Sequence, residues 1–253
     1  VRVHVFPCLQ DNYGVLLHDP LTGDTAAIDA PAEAAVKEAL AATGWQLTQI
    51  LVTHSHADHI AGIPGLVAAF GCKVTAPEKA RSHVPGADRY VREGDRVEVG
   101  GLTGVVLETP GHCADHIAYH FAREKVAFVG DVLFALGCGR VFDEQYDAMW
   151  ASLRKIAALP PATELYFGHE YTLSNGKFAL AVDPGNADLK AQVERAETVR
   201  ARGDFTIPTT VAAERAANPF LRAVLPGMAA QLGMPGAPAA AVFRELRERK
   251  NRF

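Results

Sequence analysis

Apolar positions in the first two-thirds of the chain fall in short runs. VRVHVF, YGVLLHD and TAAIDA are broken by Asp11-Asn12, Pro20 and Gly23-Asp24, the punctuation of an antiparallel meander. PAEAAVKEALAATG then changes period. Ala35, Val36, Ala39 and Leu40 recur at helical spacing, Pro31 suits a first turn and Gly44 a C-cap. QILVT predicts a buried strand, and HIAGIPGLVAAFG after it a helix weakened by Gly62 and Pro64. KVTAP, GVVLETP, HIAYHF, KVAFVG and ELYFG predict further strands, and DAMWASLRKIAAL a helix. Strands interspersed with helices predict a layered α/β protein whose mostly β core is covered by helices. Beyond about residue 172 strand patterns almost vanish. NADLKAQVERAETVRARG and AAAVFRELRERKNRF read as amphipathic helices, joined by Pro- and Gly-rich connectors at 207–208, 226–227 and 233–238. A catalytic domain over 1–172 and a small helical domain over 173–253 are expected, with no internal repeat.

Composition narrows the classes. The chain has 253 residues, 49% apolar and 21% charged, enough for a large core, so disordered and fibrous classes are excluded. A net charge of -4 argues against a general nucleic-acid binder. No apolar run approaches the ~18–20 residues of a membrane span, and the N-terminal VRVHVFPCLQ has no charged-then-apolar leader pattern. The four cysteines, Cys8, Cys72, Cys113 and Cys138, form no CxxC pair, which predicts neither a thiolate zinc site nor a redox motif and fits a reducing cytoplasm.

The ten histidines carry the chemistry. QILVT runs directly into Thr53-His54-Ser55-His56-Ala57-Asp58-His59. At a strand end, residues i and i+2 point to one side, so His54 and His56 can reach a common point. Asp58 and His59 follow where the chain turns toward a helix, and can face a second point. Imidazole and carboxylate suit Zn²⁺, Fe²⁺ and Mn²⁺. Three further strand ends offer His112 after Pro110-Gly111, Asp131 after Gly130 and His169 after Gly168, each behind a small residue that lets the backbone pass close to a centre. Seven ligands exceed one tetrahedral ion and suit two ions sharing a carboxylate; Asp131, with two oxygens, can bridge.

The T-H-S-H-A-D-H run with the later P-G-H, G-D and G-H resembles the metallo-β-lactamase superfamily over residues 1–172. The resemblance implies an αββα sandwich with metals at one edge between the sheets. By similarity, one metal takes His54, His56 and His112, the other Asp58, His59 and His169, and Asp131 and a hydroxide bridge them. Gly137-Cys138-Gly139-Arg140, Gly168-His169-Glu170-Tyr171-Thr172, Asn218-Pro219-Phe220-Leu221-Arg222 and the terminal Arg247–Phe253 segment resemble, more specifically and over the whole chain, the glyoxalase II (hydroxyacylglutathione hydrolase) family. One departure is visible: the family usually has Phe-Glu-Gly-Thr where this chain has Phe142-Asp143-Glu144-Gln145.

That resemblance implies hydrolysis of S-D-lactoylglutathione to glutathione and D-lactate, the second step of methylglyoxal detoxification. It implies two divalent metals, zinc foremost and iron or manganese as substitutes. The bridging hydroxide held by Asp131 would attack the thioester, Asp58 would serve as ligand and secondarily as base, and the thiolate, of pKa ~8.5, would leave without a strong acid. Arg140, Tyr171, Arg247 and Lys250 match the family's substrate contacts. The expected partner is a small glutathione thioester, with no nucleic acid, no membrane and a monomeric chain. His116 reads as either a support beside the ligands or a structural residue; His4, His18, His83 and His120 lack ligand spacing. Cys113 and Cys138 read as packing residues, and Ser55 and Ser174 lack a partnered base. The alternatives are a mono-iron persulfide dioxygenase, another hydrolase of this fold such as a β-lactamase or lactonase, a metal-dependent nucleic-acid enzyme and a non-catalytic glutathione-binding module.

Overall fold

A computed structural model describes residues 1–253. The chain divides into two compact units, Val1–Glu108 with Ala114–Gly130, and Thr109–Cys113 with Asp131–Phe253.

In the first unit, β1 (Arg2–Cys8), β2 (Asn12–His18) and β3 (Asp24–Ile28) form the expected antiparallel meander. After α1 (Glu33–Thr43) the sheet continues in parallel through β4 (Gln46–Leu51), β5 (Lys73–Pro77) and β6 (Arg89–Val91). Gly44 closes α1 in the left-handed region, as its position predicts, but Pro31 lies before the helix rather than in its first turn. The apolar stretch after β4 is two helices, α2 (Ala57–Ile60) and α3 (Ile63–Phe70). At the break the Gly62 nitrogen leaves the helical ladder and donates to the Ala30 carbonyl at 2.8 Å, an approach that requires glycine because a Cβ there would lie 2.7 Å from the Glu33 nitrogen. This close approach packs the helices onto the sheet, where Val36, Leu40, Leu66, Ile50 and Val74 share one apolar core. A second set of strands, β7 (Arg96–Val99), β8 (Leu102–Glu108), β9 (Ile117–Phe121) and β10 (Val126–Gly130), is a continuous antiparallel meander. Every residue of β2 is buried, as expected for a strand covered on both faces. The Tyr119 hydroxyl on β9 donates to the Val52 carbonyl beyond β4 at 2.7 Å, tying the two sheets together. Burial of Tyr119 holds its phenol well above the usual tyrosine range, so it remains a donor.

The second unit opens with a small hairpin, β11 (Leu133–Phe134) and β12 (Gly137–Cys138), followed by α4 (Tyr146–Ala157) and β13 (Glu164–Phe167). The rest is helical: α5 (Thr172–Val182), α6 (Ala187–Ala201), α7 (Val211–Ala217), α8 (Pro226–Gln231) and α9 (Ala239–Arg252), with a two-residue β14 (Thr209–Thr210) paired antiparallel to β13. Asn186 and Thr210 cap α6 and α7 by accepting from Leu189 and Ala213 nitrogens. Along α9, Val242, Phe243, Leu246 and Arg247 form the buried stripe. No helix is long and apolar enough to cross a membrane.

Candidate metal centre

The parallel arrangement of β3 and β4 sends both strand ends to the same edge of the first sheet. From β4 the chain runs into His54 and His56, whose Nε2 and Nδ1 atoms stand 3.1 Å apart. Asp58 and His59 follow on the single turn of α2, with His59 Nε2 3.6 Å from Asp58 Oδ2. His54 and His59 are buried, and their ring centroids lie 4.0 Å apart.

The nitrogens facing away from this convergence are held. Thr53 Oγ1 lies 3.0 Å from His54 Nδ1, and Asp29 Oδ2 lies 2.8 Å from His59 Nδ1. Asp29 was not evident in the sequence. It follows β3 in a left-handed conformation (φ 61°) and also accepts from the Thr53 nitrogen at 2.6 Å and the Thr53 hydroxyl at 2.7 Å. One Asp side-chain oxygen and one nitrogen from each of His54 and His59 lie within 4.8 Å of one another. Asp29 nevertheless already serves three donors, so its place is behind His59 rather than at an ion. A carboxylate on the far nitrogen fixes the tautomer of a ligating imidazole and raises its basicity. Asn12 supports Asp58 similarly: its Nδ2 donates to the Asp58 carbonyl at 3.2 Å and to Oδ2 at 3.0 Å. His116 is buried with its ring 5.0 Å from that of His54. A Cβ at Gly130 would come within 2.7 Å of His116 Nε2, which explains the need for a small residue there.

The second unit holds the remaining three ligand candidates. Asp131 Oδ2 lies 3.5 Å from His112 Nε2 and 3.2 Å from His169 Nε2, so two imidazoles meet one carboxylate. His112 reaches this position because the chain turns at Gly111 (φ +132°), where a Cβ would strike the Met149 backbone at 2.4 Å. His112 Nδ1 is 2.9 Å from the Arg140 carbonyl. A carbonyl only accepts, so Nδ1 is the donor and Nε2 is the nitrogen available to an ion. His169 stacks on Tyr171 at 4.9 Å with an interplanar angle of 4°, and Phe134 meets both rings edge-on.

The substrate-side candidates differ in setting. Arg140 is exposed and Tyr171 half-buried. Lys250 is half-buried: its Nζ donates to the Ser174 carbonyl at 3.2 Å and lies 5.5 Å from the Phe178 ring centre, and burial chiefly lowers its pKa. Arg247 is buried at 6% exposure. Ser174 is engaged by Lys250 and no serine–base pair is formed there. Of the remaining histidines, His18 stacks on Trp45 at 4.3 Å and pairs with Thr25 at 2.9 Å, a packing role.

Residues 9–169 match the metallo-β-lactamase superfamily, and residues 170–253 match the hydroxyacylglutathione hydrolase C-terminus. A hydroxyacylglutathione hydrolase from Methylobacterium nodulans is 56% identical over 253 residues, spanning 100% of this chain and 99% of its own length. This chain belongs to the hydroxyacylglutathione hydrolase family. A hydroxyacylglutathione hydrolase from a strain of Rhodopseudomonas palustris is 53% identical over 249 residues, covering 98% of each chain. Among solved structures, ETHE1 from Myxococcus xanthus superposes with a TM-score of 0.70 at 25% identity, over 99% of this chain and 92% of that one. The fold is therefore that of the metallo-β-lactamase superfamily followed by the helical C-terminus of the hydroxyacylglutathione hydrolase family.

Proposed function

We propose that this chain hydrolyses S-D-lactoylglutathione, and related 2-hydroxyacyl thioesters of glutathione, to glutathione and the free hydroxy acid, the second step of methylglyoxal detoxification. The observation that carries the reading is full-length identity of 56% to a hydroxyacylglutathione hydrolase, helical C-terminus included. On this reading, 1–172 is the catalytic domain and 173–253 the substrate-binding domain.

His54, His56 and His112 would hold one divalent ion, and Asp58, His59 and His169 the other, with Asp131 shared. The donor chemistry supports this fit. All are imidazoles or carboxylates, and His54, His59 and His112 each have the far nitrogen engaged by Thr53, Asp29 or the Arg140 carbonyl. Zinc suits this set best, and iron or manganese can replace it. When bound, two such ions supply Lewis acidity and lower the pKa of water toward neutrality.

The chain's own residues supply the rest. Asp58, steadied by Asn12, is a ligand first and a proton acceptor second. Arg140, Tyr171, Arg247 and Lys250 are assigned to the glutathione moiety, whose two carboxylates call for cations and hydrogen-bond donors. The leaving thiol, of pKa ~8.5, departs as thiolate and needs no dedicated acid. We place the enzyme in the cytoplasm as a monomer; four free cysteines, three of them buried, suit a reducing compartment.

The test is cleavage of S-D-lactoylglutathione by metal-replete protein, with release of free thiol followed over time. Thiol release without oxygen uptake is expected. Oxygen consumption with glutathione persulfide and no thioester cleavage would replace this reading with the dioxygenase.

A further inference from the structure

Between Asp131 and Arg140 the chain makes the β11–β12 hairpin, and polar side chains of the C-terminal helices grip its backbone. Asn175 on α5 donates to the Ala135 carbonyl at 3.2 Å. Glu214 on α7 accepts from the Leu136 nitrogen at 2.8 Å, and Asn218 donates to the Gly137 carbonyl at 2.9 Å. Arg247 on α9 takes the next two carbonyls: Nη1 donates to Cys138 at 3.0 Å and to Gly139 at 3.4 Å. The following carbonyl, that of Arg140, receives the Nδ1 proton of His112 at 2.9 Å. Gly139 is packed so tightly that a Cβ would lie 2.0 Å from the Asp131 carbonyl oxygen and 3.2 Å from His112 Nδ1. The backbone that Arg247 holds is thus the backbone against which a candidate ligand is set.

We propose that Arg247 is a positioning residue for the metal centre: it fixes the Cys138–Arg140 backbone, and through the Arg140 carbonyl it sets the tautomer and aim of His112. This goes beyond substrate contact, and it rests on the assignment of His112 as a ligand. Three features support it. Arg247 lies on the buried stripe of α9, at 6% exposure, where a residue serving only solvent-borne carboxylates is not placed. Its guanidinium meets main-chain acceptors rather than an acidic side chain, so its orientation is tied to hairpin geometry. Finally, Lys250, three residues on, makes no such contact with the hairpin and donates to Ser174 instead. The two terminal cations therefore separate into different roles.

The experiment measures zinc affinity of the full-length protein by competition with a chromophoric chelator, for wild type, Arg247→Met, Arg247→Lys and Lys250→Met, with thermal melting of the chelator-treated proteins alongside. Methionine keeps the aliphatic volume and removes the donors; lysine restores one donor. Loss of the partner behind a ligating histidine costs about 10–100-fold in metal affinity. Arg247→Met leaves the Arg140 carbonyl in place and frees the backbone before it, so it is expected to weaken one of two zinc ions by up to that factor and spare the other. Arg247→Lys should recover part of the loss, and Lys250→Met should leave both affinities as in wild type. Imidazole nitrogen shifts of His112 in the metal-free protein give a second readout, with the Nδ1 proton preference lost in Arg247→Met. Unchanged affinity of both ions in a folded Arg247→Met, with only KM raised, overturns the proposal. If that variant does not fold, Arg247→Lys decides: wild-type affinities for both ions together with a wild-type His112 tautomer overturn it. Wild-type protein that binds no zinc would instead refute the metal-centre assignment itself.

Discussion

Replacing Asp29 by Asn leaves shape intact and removes one charge from behind His59. The carboxylate accepts from the Thr53 nitrogen at 2.6 Å, the Thr53 hydroxyl at 2.7 Å and His59 Nδ1 at 2.8 Å. Hydrogen bonds to a charged group contribute about 1.5–3 kcal/mol each and neutral ones about 0.5–1.5. Losing the charge thus costs about 1 kcal/mol per bond, or about 3 kcal/mol for the set. The amide nitrogen must also face one of these donors, which leaves a buried donor unmet at a further cost of about 1–3 kcal/mol. Backbone strain adds nothing, because Asn tolerates the left-handed conformation that Asp29 adopts. For a chain of this size, 1 kcal/mol shifts Tm by roughly 2–4 °C, so the combined loss of about 4–6 kcal/mol should lower melting of the metal-free protein by about 8–24 °C. If the amide nitrogen faces His59, the imidazole proton moves to Nε2 and the ligand is lost; otherwise only its basicity falls. Zinc at the ion assigned to His59 should therefore bind about 10–100-fold more weakly. Differential scanning calorimetry with chelator present and zinc competition titration read the two effects separately. A variant melting within about 2 °C of wild type, with both zinc affinities preserved, would refute the reasoning.

Three other outcomes are expected. Asp131→Ala should reduce metal content from about two ions per chain to below one, by elemental analysis, because Asp131 Oδ2 faces both His112 and His169. Lys250→Met should raise KM about tenfold at constant kcat and metal content, since a carboxylate contact remote from the reacting carbonyl is equal in ground and transition states; a fall in kcat would contradict this. Cys138 is pushed up to about 11 by burial, against 9.0 for the unperturbed thiol. The fold favours its protonated form, so this contribution is intact below pH 9 and is lost as pH rises toward 11. Denaturant titrations should show stability falling across that window, and Cys138→Ala should flatten the fall.

The candidate ligands were legible because each sits at the end of an apolar run, where strand geometry dictates which side chains converge. The supporting residues were not. Asp29 is a single acid after β3 with no spacing to mark it, and it meets His59 across 30 residues of chain. Asn12 opens β2, where Asp-Asn in the sequence reads simply as turn chemistry, yet its amide serves Asp58. Arg247 shows the same limit from the other side. A cation among RERKNRF reads as solvated, but the helix period places it in line with Val242, Phe243 and Leu246. Short strands such as β6 and β14 carry too few residues for alternation to show. The split of one expected helix at Gly62 followed from a backbone approach by Ala30 and Glu33, which no local pattern encodes. Texture likewise changes near residue 172, whereas compactness divides the chain at Gly130 and Asp131, because β13 and the β11–β12 hairpin belong with the helices.

The parallel course of β3, β4 and β5 gives the first sheet two rims of unlike value. Asp29 and the His54–His59 run leave from the carboxyl ends; the Leu21–Gly23 turn, Gly44 and Gly71 occupy the amino ends. At Gly23, Gly44 and Gly71 a Cβ would meet nothing within 4 Å, and Leu21 is 94% exposed. That rim is a natural handle. A Leu21→Cys graft attached to a bead, an electrode or a dye would hold the protein by the amino ends of these strands, at the rim opposite the one that the His54–His59 run leaves.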